Sequence, residues 1–206
     1  MINYGGDFAP QKDVATANLP AGAYVGKVLG AKVENQLIGG VERSRLILQL
    51  DVAEGDHTDH FVKAYTAAQG GSYPARFRGV LRITIPQKGD QYEAMNKRIL
   101  QGVAWALEDS NPGYKWDFDE TKLKGLKVGF SVREADFLME DMQGIRLCNT
   151  TEICKLESVR EVKAGTVKPV KKRELKEAQR QKWQAYCASA AVADTGDDGS
   201  AEDLPF

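Results

Sequence analysis

The chain has 206 residues, of which 42% are hydrophobic and 8% aromatic, and its 28 basic and 29 acidic residues nearly cancel. This composition is typical of a globular protein and argues against a collagen-like or membrane-embedded chain, because no run of 18 apolar residues occurs. The first 20 residues carry two aspartates where a signal peptide needs an apolar run, so we expect a cytoplasmic protein.

Residues 1–20 show no sustained hydrophobic period, and we expect them to form an N-terminal arm. Strands are predicted over residues 23–34 and 44–52. The second of these alternates strictly between apolar and other residues, which is typical of a half-buried strand. Its apolar positions are Leu46, Leu48, Leu50 and Val52.

The central part of the chain predicts extended structure followed by one helix. Residues 60–65 and 80–85 are interpreted as one interrupted strand or as two strands. Residues 92–108 have apolar side chains at helical spacing, with Asp90 as the expected N-cap and Trp105 expected in the core. This is the one strong helix prediction in residues 21–163.

The alternation returns over residues 126–132 and again over 145–162, with a hairpin loop expected at 139–144. In chain order the elements are three strands, a helix and two strands. This order predicts a mainly β fold, an OB-fold-like five-stranded barrel with one helix between strands 3 and 4.

The C-terminal part of the chain differs in composition from the body. A linker and a basic helix are predicted within residues 164–193, the helix over 171–191, and residues 194–206 form an acidic tail that we expect to be disordered. The predicted organisation is therefore an arm (1–20), a DNA-binding domain (21–163), the linker and basic helix (164–193) and the tail (194–206).

The net charge of −1 hides an uneven distribution. The tail holds five acids and no base. The first 193 residues therefore hold 28 bases and 24 acids, a net charge of +4. Residues 155–183 hold ten bases and four acids, and residues 60–88 hold five bases and no acid. A basic body with an acidic C-terminal arm is typical of proteins that bind polyanions.

Residues 60–88 interleave basic and aromatic side chains, the combination that a single-stranded nucleic acid requires. Basic groups contact phosphates and rings stack on bases, although such rings also pack in cores. The expected DNA-binding residues are Lys63, Tyr65, Tyr73, Arg76, Phe77, Arg78, Arg82 and Lys88. Trp116 and Trp183 are further candidate stacking platforms.

A second basic strip lies in and before the predicted C-terminal helix. It is expected to contact phosphates, to fold back on the acidic tail, or to be simply a solvated helix face. The strip consists of residues 168–173 with Lys176, Arg180 and Lys182.

The chain ends in an acidic, glycine-bearing stretch, DTGDDGSAEDLPF. This ending resembles the C-terminal tip of bacterial and phage single-stranded DNA-binding proteins. The resemblance covers about thirteen residues, without a residue-by-residue match in the body, and suggests a divergent, phage-encoded member in a bacterial host cytoplasm. It implies that the tip docks on replication, recombination and repair enzymes. The tip residues are Asp203, Leu204, Pro205 and Phe206.

We therefore expect a non-enzymatic protein that coats single-stranded DNA and forms a homo-oligomer, with a dimer favoured. No cofactor or metal is expected. An adaptor that binds protein instead of DNA, or a metal-dependent nuclease using Asp117, Asp119 and Glu120 or Asp51 and Glu54, remains an alternative. The His57 to His60 spacing is a weak metal motif, because the sequence contains no third histidine.

Overall fold

The computed structural model describes residues 18–38, 40–71, 74–141 and 144–194. The N-terminal arm up to residue 17 and the acidic tail from residue 195 lie outside the described residues. Five strands form one antiparallel sheet in the order β3-β2-β1-β4-β5. They are β1 Gly22–Ile38, β2 Val41–Val52, β3 Val80–Thr84, β4 Lys127–Asp141 and β5 Gly144–Glu157. The mainly β fold predicted from the sequence is confirmed.

Four α-helices and one short 3-10 helix connect or follow the strands. They are α1 His60–Ala68, α2 Glu93–Ser110, the 3-10 helix Glu120–Leu123, α3 Val159–Ala164 and α4 Glu177–Asp194. The helix between the third and fourth strands is therefore confirmed as α2. Asp90 does not take the N-cap position, which belongs to Tyr92; its carboxylate instead accepts a hydrogen bond from the Tyr92 amide at 3.1 Å.

Three sequence predictions about elements are wrong. Residues 60–65 are helical, because the start of α1 is hydrogen-bonded to a carboxylate on β2, described below. The last strand ends at Glu157, since Ser158 caps the new helix α3 by accepting a hydrogen bond from the Arg160 amide. The C-terminal helix begins at Glu177, six residues later than predicted.

The core lies on one face of the sheet and confirms the alternation in β2. Leu46, Leu48, Leu50 and Val52 are at most 2% exposed. They pack in one cluster with side chains from β3, β4, α2 and the 3-10 helix, and with Leu19 before β1. Because Val103, Ala106 and Leu107 of α2 belong to this cluster, α2 covers the core face of the sheet.

The strand β1 bends where it crosses this core. Its pairing with β2 slips between Val28 and Gly30, which is a β-bulge. At Gly26 a Cβ atom would overlap the Phe130 ring and lie 2.7 Å from the Asp51 carbonyl oxygen, so only glycine permits the approach of the strands there.

The chain folds as two compact units. The first runs up to Arg133 and includes Thr151–Val170; the second comprises Glu134–Thr150 and the chain from Lys171 onward. In the second unit the segment before α4 pairs in parallel with β4. The Asp136 amide donates to the Arg173 carbonyl, and the Arg173 amide donates to the Glu134 carbonyl, both at 2.8 Å. No helix among the described residues has the length and apolar character needed to cross a membrane.

Candidate nucleic-acid interface

The sheet face opposite the core carries a cluster of cations that strand register brings together. In antiparallel strands, side chains of directly opposed residues lie on the same face. Ile47 of β2 stands between Lys32 of β1 and Arg82 of β3 in one row, and the next row is Glu34, Arg45 and Thr84. We call this surface the outer face. It consists of Lys32, Glu34, Gln36, Arg45, Ile47, Gln49, Val80, Arg82 and Thr84.

The alternation of β2 explains why these residues point away from the core. Leu46 and Leu48 are directed into the cluster, so Arg45, Ile47 and Gln49 take the opposite side. Ile47 is buried, although it does not belong to the core cluster, and its register neighbours are the long side chains of Lys32 and Arg82. Long basic chains cover apolar surface with their methylenes and keep their charges in water.

The outer face has three cations and one carboxylate, a net charge of +2. Lys32 forms an ion pair with Glu34 but its side chain remains 60% exposed. The pKa of Glu34 is lowered, chiefly by the hydrogen bond from Lys32. The charge of Lys32, a hydrogen bond from Gln36 and the charge of Arg82 lower it further. Arg45 donates a hydrogen bond from Nη1 to Gln36 Oε1 at 3.1 Å, and Arg82 is exposed.

Arg43 continues this row of cations in sequence but has a structural role. Its guanidinium pairs with the Asp90 carboxylate at 3.1 Å, with only 14% and 9% of the two side chains exposed. It also lies over the Tyr92 ring, 5.4 Å from the ring centre. Arg43 therefore anchors the approach to α2 and is not available to a ligand.

The eight predicted DNA-binding residues fall into three groups. Arg76, Arg78 and Arg82 are exposed on the segment that leads into and through β3, with Arg78 3.5 Å from the Asn18 side chain. Lys63 on α1 is exposed and donates to the Thr58 carbonyl at 2.8 Å, and Lys88 is exposed between β3 and α2. The third group is aromatic.

The aromatic candidates pack against one another. Tyr65 and Phe77 are half-buried and meet edge to face with ring centres 6.0 Å apart, and Phe77 also contacts the buried ring of Phe61 at 6.3 Å. Tyr73 lies outside the described residues, as do the tip residues Asp203, Leu204, Pro205 and Phe206. The outer face contains no aromatic side chain, so it offers a ligand charged and hydrogen-bonding groups but no ring to stack on.

The tryptophans differ from expectation. Trp116 is 7% exposed and donates from Nε1 to the Asp119 carbonyl at 3.2 Å, so it is not a stacking platform for a ligand. Trp105, expected in the core, is 46% exposed because it lies beside the buried stripe of α2. Trp183 is half-buried and stacks on Tyr186 at 6.0 Å.

Much of the second basic strip is neutralised within the second unit. Lys172 pairs with Asp136 at 2.8 Å, Lys182 with Glu140 at 2.7 Å and Arg180 with Glu174 at 3.3 Å. Exposed pairs of this kind contribute little stability, but they lower the net positive charge that a polyanion meets. The outer face is the stronger candidate.

The acidic clusters have structural roles. Asp51 is fully buried and accepts hydrogen bonds from the amides of Val52, Phe61 and Val62 at 2.8–2.9 Å.

His57 and His60 are the residues of the weak metal motif. Burial of the His60 side chain, and then the charge of His57, lower the pKa of His60. The described part of the chain holds no group of three His, Cys, Asp or Glu side chains that could bind a metal ion.

The chain matches no model of a known protein family and no curated protein. The outer face must therefore be interpreted from its own geometry.

Two of the three cations on the outer face were missed by reasoning from the sequence. Arg45 could have been found, because it alternates with the buried leucines of β2. Lys32 could not, because only the register of β1 against β2 brings it into the row with Arg82.

Proposed function

We propose that this protein binds single-stranded DNA without catalysing a reaction, coating and protecting it during replication or recombination of the phage type. The outer face supplies the phosphate contacts, with Arg76 and Arg78 extending it beyond the start of β3. The chain engages replication, recombination and repair enzymes through Asp203, Leu204, Pro205 and Phe206. The observation that carries the proposal is the concentration of cations on the β2–β3 side of the outer face.

The strand order supports this proposal. An OB-fold barrel has the order β3-β2-β1-β4-β5 with a helix between its third and fourth strands, and closes by bringing the third and fifth strands together. OB-folds bind oligonucleotides on the face of strands 2 and 3 and in the loop between strands 1 and 2. In this chain the same two strands carry Arg45, Gln49 and Arg82.

The chemistry of the outer face favours a flexible single strand bound largely without regard to sequence. Arg and Lys side chains contact phosphates, while Gln36 and Gln49 offer amide groups that donate to any phosphate or sugar oxygen. Such binding weakens steeply with salt, because each neutralised phosphate releases counterions.

The test is a fluorescence-anisotropy titration of labelled oligo-dT, oligo-U and a DNA duplex over a salt series. We compare the wild type with the double variant Lys32→Gln/Arg82→Gln and with Lys97→Gln/Arg98→Gln, which removes the same charge from exposed positions on α2. The wild type is expected to prefer oligo-dT over the duplex. The outer-face variant should bind more weakly, with a salt slope lower by about 1.4, since each phosphate contact on a single strand contributes about 0.7.

The variant Arg76→Gln/Arg78→Gln tests the extension of the outer face in the same titration and should behave like the outer-face variant. Absence of binding by the wild type at low salt would overturn the proposal. Equal loss in the α2 control would mean that net charge alone, and not the outer face, determines the affinity.

A further inference from the structure

Two surface features of the first unit take no part in the proposed function. One is Phe118, whose side chain is 63% exposed in the loop between α2 and β4. Its φ of 65° lies in the left-handed region, which a bulky side chain adopts only where surrounding contacts enforce it. Strained backbone of this kind is found at functional positions more often than elsewhere.

The loop that presents Phe118 is held in place from below. The ring of the buried Trp116 lies 4.9 Å from that of Phe118, and the Trp116 amide donates a hydrogen bond to the Glu108 carboxylate at 3.2 Å. Asp119 begins the 3-10 helix by accepting from the Thr121 amide at 3.0 Å, and Asp117 is paired with Lys122. Phe118 is therefore an exposed ring on a fixed loop.

The second feature is a mostly apolar cavity of about 180 Å³. It lies where the start of β1 and β4 meet the chain after α3. Its lining residues are Ala21, Gly22, Ala23, Ser131, Val132, Val167, Lys168, Pro169 and Val170. The cavity is open to solvent on one side, where Ala21, Gly22, Lys168 and Pro169 are exposed. An enclosed apolar cavity of about 150 Å³ binds benzene, so the volume here is sufficient for a phenyl ring.

The charges around the two features are complementary. Phe118 is flanked in sequence by the carboxylates of Asp117 and Asp119, whereas the exposed Lys168 supplies the charged group of the cavity lining. Lys122 is paired with Asp117 and lies 3.6 Å from Asp119, so the two carboxylates share one cation and keep a net charge of −1 that complements Lys168. A phenylalanine that enters the apolar cavity brings this charge beside the lysine.

We propose that Phe118 of one copy of this chain inserts into the cavity of a second copy, with Lys168 of the second copy facing Asp117 and Asp119 of the first. The features share no residue, so each copy offers its ring and its cavity at the same time. A contact between two different surfaces is heterologous and propagates into a head-to-tail chain unless it closes into a ring. Such a chain suits the coating of an extended strand, but its formation requires no nucleic acid.

The test is sedimentation velocity of the full chain without nucleic acid over a concentration series. The wild type is expected to show a weight-average mass that rises with concentration. Phe118→Asn removes the ring and tolerates a positive φ, and Ala21→Phe fills the cavity from an exposed position. Each should weaken association about tenfold or more. Trp105→Ala, which removes a similarly exposed ring from α2, should leave association unchanged.

Mixing separates this contact from a general loss of folding. The Phe118→Asn protein retains its cavity and the Ala21→Phe protein retains its ring, so an equimolar mixture should form a 1:1 heterodimer and nothing larger. A wild type that stays monomeric, association that survives Phe118→Asn, or a mixture without heterodimer would each overturn the proposal. Association that is lost on removing residues 203–206 would identify Phe206 as the occupant of the cavity and would also overturn it. None of these results bears on nucleic-acid binding, which the titration above tests separately.

Discussion

At the scale of single residues, close backbone approach decides which positions tolerate change. Gly79 lies directly before β3, where its carbonyl accepts from the Leu50 amide at 2.7 Å. A Cβ atom there would overlap the Leu50 carbonyl oxygen and lie 2.7 Å from the ring of Phe61. Because the obstructing atoms are backbone and a buried ring, neither can give way cheaply.

We therefore expect Gly79→Ala to destabilise the protein by about 3 kcal/mol, at the upper end of the usual cost of overpacking. Gly102 is the matched control, since it lies in the middle of α2 with open space around its Cα. Gly102→Ala should stabilise by about 0.5–1 kcal/mol through helix propensity. Chemical denaturation of both variants measures the difference; equal effects would show that the close approach at Gly79 is not rigid.

The burial of single aromatic residues was only partly predictable. Phe61 lies in the basic and aromatic segment 60–88, where a ring is compatible with either stacking on a base or packing in the core, and it is 8% exposed. Trp105 was expected to be buried and is exposed, whereas Trp116 was expected to be accessible and is buried. Helical spacing shows which residues of α2 share a face, but which face is buried depends on the strands that α2 packs against. A loop tryptophan gives no periodicity at all, and the hydrogen bond from Trp116 to Asp119 depends on the fold of that loop.

At the scale of elements, α1 shows how a distant side chain determines local structure. Asp51 at the end of β2 is fully buried, and its two carboxylate oxygens accept from the amides of Phe61 and Val62, ten and eleven residues later. These amides belong to the first turn of the helix, where backbone donors lack partners within the helix. Asp59, the N-cap residue, makes no side-chain capping bond, so Asp51 takes over that role.

We expect Asp51→Ala to cost about 2–4 kcal/mol, because it leaves three backbone donors without a partner inside the protein. Asp51→Asn retains one acceptor oxygen and should cost less. Asp56→Ala, an exposed acid in the loop between β2 and α1, is the control and should be near neutral. Thermal unfolding followed by circular dichroism measures all three. A neutral Asp51→Ala would mean that α1 is stabilised by its packing alone.

The same contact explains why the strand prediction for residues 60–65 failed. The segment HFVKAY contains β-branched and aromatic residues that favour a strand, and no capping residue is bonded locally. The donor groups of α1 are satisfied through β2, which sequence periodicity cannot reveal. The strands β1 to β5 and the helix α2, in contrast, have patterns within their own residues and were predicted to within a few residues at most ends.

At the scale of the whole molecule, the sequence shows that residues 1–193 and the tail have opposite net charges, but it does not show where the outer face lies. The segment rich in bases supplied Arg76, Arg78 and Arg82. The pairing of β1 with β2 adds Lys32 and Arg45, which lie in two strands that together hold four bases and three acids. The order and register of the strands therefore place basic residues from separate parts of the sequence side by side on one surface.

The opposite charges of the tail and of the rest of the chain predict that the tail competes with a nucleic acid for the outer face. Residues 194–206 carry five acids against a net charge of +4 on the rest of the chain. A tethered polyanion is held at a high effective concentration near that surface, and its attraction acts over about 30 Å at 10 mM salt but only about 8 Å at 150 mM. Removal of residues 194–206 should therefore raise the affinity for oligo-dT about three- to tenfold at 10–20 mM salt, with a smaller gain at 150 mM.

A full-length variant in which Asp197, Asp198, Glu202 and Asp203 become amides separates charge from chain length, since it keeps the tether and removes four of the five acids. It should bind oligo-dT like the truncated chain, because the competition is electrostatic. Deleting Phe206 alone should leave the affinity for oligo-dT unchanged while abolishing contacts with partner enzymes, whose pocket the ring is proposed to fill. If the truncated chain and the wild type bind oligo-dT equally at 10–20 mM salt, the tail does not compete with DNA for the outer face.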